Sequence, residues 1–154
     1  TSMCEGMAHR AFCTQRWRLS LDRFPCVNDG RIVLPRPRLI SVVSVVYFDT
    51  AGDEQTMDAA DYQVDDQAEP GAIFPAPNID WPDTEDGRVN AVQVVYECGY
   101  GTAADVDGRA KQAILMLVAH WYENREAVLA GTISKDMEHA LTTLMAQLWH
   151  GRMW

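Results

Sequence analysis

The stretch DGRAKQAILMLVAHWYENREAVLAG, from Asp107 to Gly131, constrains the fold more than any other part of the chain. Asp107 is placed to cap a helix, no proline interrupts the run, and Gly131 closes it. The reading is one helix of about 23 residues, or ~35 Å at ~1.5 Å per residue. A surface helix ordinarily keeps one apolar stripe and gives its other side to water. Between Ala113 and Tyr122, however, only His120 is polar. Both sides of this rod need cover: one from the rest of the chain, the other from a neighbouring copy. Leu117, His120, Trp121 and Arg125 are the residues expected at that subunit interface.

With 154 residues the chain is expected to form one domain that buries roughly 70% of its unfolded surface. No apolar run reaches the ~18 residues a membrane span requires, since the longest one meets His120 and Glu123, so no membrane partner is expected. No stretch reads as a secretory leader, and the sequence opens on Thr1 rather than Met, as a segment of a longer product would. Cys4, Cys13, Cys26 and Cys98 form no C-x-x-C pair and have no histidine at finger spacing. Reduced thiols in a cytosolic setting, with no metal and no cofactor, are the expectation.

The net charge of −9 is unevenly distributed. Residues 1–40 hold seven arginines against Glu5, Asp22 and Asp29, whereas residues 41–107 hold fifteen acids against Arg88 alone. An acidic face of this kind repels phosphates, which argues against a DNA-binding module.

Along the chain, residues 1–13 read as the end of a helix, with Met3, Met7 and Ala11 spaced on one side. From Thr14 to Asp22 the period changes: Trp17, Leu19 and Leu21 alternate with Arg16, Arg18 and Ser20, predicting a strand with one buried face. A turn at Asn28-Asp29-Gly30 precedes a short strand at 31–34, and LISVVSVVYF, Leu39 to Phe48, is the most β-rich run. Short strands are expected at 55–57, 62–64, 72–74 and 89–96, giving a β region over 14–101. A helical hairpin over 107–150 follows, its second helix capped by Ser134 or Asp136, and 149–154 form a tail. The fold class is α+β: an N-terminal helix, a mostly antiparallel β region of five to seven short strands, then a long helix and a shorter one.

Four stretches, in this order, carry a resemblance to a known family. They are RAFCTQRW from Arg10 with the following Leu19 to Pro25; LPRP from Leu34 with SVVSVVYFD; DAADYQV from Asp58; and YECGYG from Tyr96 leading into KQAILMLVAHWYENREAV. Together they resemble the head-to-tail connector, or adaptor, family of long-tailed bacteriophages and phage-derived gene transfer agents, whose members usually carry a further helix ahead of the segment matching Thr1. The resemblance implies a non-enzymatic virion protein at the head–tail junction, assembled in the host bacterial cytoplasm. Its implied partners are copies of itself in a ring, typically of twelve, a portal protein above, and a stopper or tail-completion protein below. DNA would pass through the ring without sequence-specific binding.

Three expectations follow for the residues. Ring closure needs two different, complementary side surfaces, which the basic and acidic segments can supply. An acidic lumen lets a polyanion slide, so some of Asp49, Asp53, Glu54, Asp58, Asp61, Asp65 and Asp66 are expected at the channel or its rim. The tail residues Trp149, Arg152, Met153 and Trp154 are of types that concentrate binding energy, and are expected to dock on the portal; Trp149 packing back on the hairpin is the plainer alternative.

Enzymatic readings are weaker. His120 and Glu123 stand at i, i+3 and can share a metal, but nothing at suitable spacing completes a ligand set, so a small metal-dependent hydrolase is the distant alternative. The aspartate-rich loops lack the central glycine of a calcium loop, and Gly99-Tyr100-Gly101 lacks the lysine of a phosphate loop. A stopper or tail-terminator subunit is the alternative within the same kind of particle.

Overall fold

The computed structural model describes residues 2–26, 30–123 and 135–148. Its larger sheet is built on strand β3, Leu39–Phe48, whose β-branched run matches the sequence reading residue for residue. To one side lies β7, Val92–Cys98, and beyond it β1, Gln15–Leu21; to the other lies the short β4, Glu54–Thr56. The order is β1-β7-β3-β4, and every pair is antiparallel. A second antiparallel sheet has the order β2-β6-β5, formed by Ile32–Val33, Ala72–Pro75 and Tyr62–Asp65 respectively. A 3-10 turn at Ala59–Asp61 leads into β5, with the Asp58 side chain accepting from the Ala60 N–H.

In β7 the burial alternates strictly, so Val92, Val94, Tyr96 and Cys98 face inward. They meet Leu39 and Val45 from β3, and Ile32, Leu34 and Ile73 from around the second sheet, in one apolar cluster. The Tyr96 hydroxyl donates to the Pro35 carbonyl at 2.7 Å, which satisfies the one polar atom this ring brings into the core.

Strand β3 departs from simple alternation. Strict period two would set Leu39, Val43, Val45 and Tyr47 on one face together with Ser41. Instead the register slips between Leu39 and Ser41 and again between Val42 and Ser44. The two extra residues, Ile40 and Val43, bulge outward and are exposed, while Leu39, Val42, Val45 and Tyr47 pair with the inward residues of β7. Boundaries differ elsewhere as well. β7 starts at Val92, not Val89, because Asn90 has a positive φ and Val89 lies exposed in the turn before it. Trp17 faces the side of Tyr96 but sits on an edge strand, where the Arg36 guanidinium rather than core covers its ring, 4.4 Å from the centroid.

The helices pack separately. Helix α1 is Ser2–Ala8, shorter than the sequence suggests because His9 turns to positive φ. Helix α2 is Gly108–Glu123 and α3 is Lys135–Leu148. Cys4, Ala8, Phe12, Val106, Ala110, Ala113, Leu117 and Leu141 form their common core. Residues 124–134, the far end of the expected long helix, lie outside the described residues.

Two groups tie the helical layer to the sheets. The buried Glu5 carboxylate accepts from the Phe12 N–H and from Gln15 Nε2, both at 2.8 Å, fixing α1 to the start of β1. The buried Arg10 guanidinium donates to the Tyr100 hydroxyl at 2.7 Å and pairs with Glu69 in the loop before β6. A buried arginine needs such partners, since an uncompensated charge there costs several kcal/mol (~3–5).

Candidate functional site

Asp107 positions α2 as expected. Its Oδ1 accepts from the Arg109 N–H at 2.8 Å, and its carbonyl receives the Ala110 and Lys111 N–H groups. The Arg109 guanidinium closes on the same carboxylate, and these bonds hold the Asp107 carboxyl down at about 2.

From that start the helix turns Ala110, Ala113 and Leu117 into the protomer. Leu117, expected at a subunit interface, is only 3% exposed and packs with Cys4, Ala8 and Phe12, so its own chain covers it; this corrects the expectation. His120 is half-buried and Trp121 is 39% exposed near the end of the described helix. Arg125 lies outside the described residues.

The exposed flank is made of side chains the sequence reading did not single out. Leu115, Val118 and Tyr122 stand at i, i+3 and i+7, on one stripe of the helix, and are 67%, 54% and 70% exposed. The sequence signal existed, since all three belong to the over-apolar middle. What it lacked was the phase: which third of an all-apolar helix faces inward depends on where α1 and α3 pack.

The seven acids divide into two groups. Asp49, Asp53 and Glu54 sit on the β3–β4 hairpin. Asp49 accepts from the Ala51 and Asp53 N–H groups and from Gln55 Nε2, and these bonds, Gln55 foremost, lower its carboxyl below the usual range. Asp58, Asp61, Asp65 and Asp66 surround β5. Asp58 caps the 3-10 turn, and Asp65 accepts from the Gln67 and Ala68 N–H groups. Asp49, Asp58 and Asp65 therefore have local turn duties, whereas Asp53, Glu54 and Asp66 are exposed. The tail, Trp149, Arg152, Met153 and Trp154, lies outside the described residues.

Among the described residues no three His, Cys, Asp or Glu side chains gather to hold a metal ion. Burial pushes the Cys98 thiol up to about 11 and raises Cys4 as well, so neither is poised as a thiolate nucleophile. A cleft of about 420 Å³ lies between 22–26 and 81–89, where Phe24 stacks on Trp81 at 4.8 Å. Its one well-fixed cation, Arg88, is engaged by Glu85 and by the Phe48 ring.

No protein-family model matches the sequence, and no curated protein matches it at a significant level. Solved structures do match. A chain in the virion of a native gene transfer agent particle superposes with a TM-score of 0.75 at 21% identity, over 99% of this chain and 74% of that one. The fold is one found in a gene transfer agent neck. A chain in the neck of an empty particle, computed with C6 symmetry, gives a TM-score of 0.74 at 22% identity over 99% and 74%. One in the neck of a native particle, computed with C12 symmetry, gives 0.69 at 20% over 99% and 79%. The neck fold takes in both sheets and the helical layer, so the α+β order read from the sequence and the resemblance in its four segments agree with the architecture.

Proposed function

We propose that this chain is a structural subunit of a ring at the head–tail junction of a phage-like particle, joining the portal to the tail and extending the DNA exit channel. The observation that carries this reading is the stripe Leu115, Val118 and Tyr122, exposed on the helix best suited to serve as a rod. Contiguous apolar surface of this kind marks an interaction site. The neck fold, seen in particles computed with C6 and C12 symmetry, supports a ring of copies, and twelve is the number we propose. The subunit works by association rather than catalysis.

Within the ring, one side surface of each copy meets the opposite side of the next. Some of the seven acids face the channel or its rim, where they offer DNA no cation to grip and no counterions need be released. Residues 149–154 dock on the portal, with a stopper or tail-completion protein below.

The test is to mix the purified chain with its cognate portal alone. A connector binds the portal directly and forms a collar on it. A stopper would leave the portal bare until another ring was in place, and that outcome would overturn the connector assignment.

A further inference from the structure

Among the described residues, the larger sheet ends in two edges that carry no further strand and that differ in charge. Among the described residues β1 pairs only with β7, and β4 only with β3. An unpaired edge presents a row of backbone donors and acceptors to any strand that can reach it, and proteins usually blunt one with short strands, proline or bulges. β1 runs seven residues with no proline and no break in its register. It carries Arg16 and Arg18 and no acid; Arg16 is held by Glu97, while Arg18 has no acidic partner among the described residues. All three residues of β4 are exposed, and its hairpin carries Asp49, Asp53 and Glu54 with no base.

Resting on the ring reading above, we propose that the seam between adjacent copies is an edge-to-edge strand pairing, in which β1 of one copy adds to β4 of the next. The charge pattern favours this pairing over its competitors. Two β1 edges would set arginines against arginines, and two β4 edges acids against acids, so symmetric dimers are disfavoured and the head-to-tail contact is favoured. Because the two edges are opposite ends of one sheet, they face away from each other, as the two sides of a ring subunit must. Asp53 and Glu54 then belong to the seam, leaving the acids around β5 for the channel.

The test uses the full chain assembled on its portal, with the exposed Cys13 and Cys26 first replaced by serine. Arg18→Cys is combined in turn with Glu54→Cys, Gln55→Cys and Thr56→Cys to sample the possible registers, and a mild oxidant is added. Within one copy these positions are three strand spacings apart, about 14 Å, well beyond the ~7 Å a disulfide tolerates, so any cross-link joins two copies. The expected result is a ladder of covalent oligomers for at least one combination. In parallel, Arg18→Glu should reduce collar formation at least tenfold, and adding Asp53→Lys and Glu54→Lys to the same chain should restore it. Collars that form normally but yield no ladder in any combination, and that tolerate Arg18→Glu, would overturn the seam while leaving the ring reading intact. No collar from the unaltered chain would overturn both.

Discussion

At the scale of single residues, Gly99 illustrates how a distant contact dictates a local choice. Its φ is +126°, and a Cβ there would lie 2.8 Å from the Cys13 carbonyl carbon and closer still to the oxygen. Gly99→Ala should therefore combine backbone strain with a clash against main chain that cannot rotate away, costing about 2–4 kcal/mol. That corresponds to a fall of roughly 5–15 °C in melting temperature. Gly108, where an added methyl meets nothing within 4 Å, is the control: Gly108→Ala should hold or raise stability by up to about 1 kcal/mol. Thermal unfolding of the two variants checks both. The partner that makes Gly99 obligatory lies at the other end of the β region, where no local pattern in the sequence points.

At the scale of elements, α2 separates folding from assembly along a single helix. Leu117→Ala should cost about 2–5 kcal/mol, because it opens a cavity among Cys4, Ala8 and Phe12. Leu115→Ala should stay within about 0.5 kcal/mol of the unaltered chain and weaken self-association instead. Chemical denaturation and sedimentation, run on both, separate the two effects. The cap at Asp107 gives a pH signature. Its folded pKa, about 2, is depressed below the ~3.9 of an unfolded aspartate, so the charged cap stabilises fully above about pH 4. That contribution is lost as the pH falls through about 2. Asp107→Ala should cost about 1 kcal/mol near neutrality, while Asp107→Asn keeps a capping oxygen and should lose this share of the acid-dependent decline. Stability measured from pH 2 to 5 distinguishes them.

Legibility also varied by element. The helix start and the β3 span were readable, because caps and β-branched runs are local. The two bulges in β3 were not, since LISVVSVVYF offers apolar residues in either register and only its pairing with β7 decides which face is inward. The buried phase of α2 was hidden for the same reason: Leu117 and Leu115 are identical in kind, and only packing with α1 and α3 separates them.

At the scale of the whole molecule, the uneven charge of the sequence becomes a spatial arrangement: a basic edge at β1, an acidic hairpin at β4, and further acids around β5. Replacing Asp61 and Asp66 together with lysine should leave folding near normal but slow DNA passage through assembled particles severalfold, as added cations hold phosphates in the lumen. Ejection kinetics provide the readout, and an unchanged rate would remove these acids from the channel. The association of copies can be tested without any variant, by mixing the chain with its cognate portal and imaging the product by electron microscopy. A twelvefold collar seated on one end of the portal, with the Leu115, Val118 and Tyr122 stripe buried between neighbouring copies, is the predicted result. A bare portal beside folded monomers, or a collar that leaves that stripe in solvent, would contradict it.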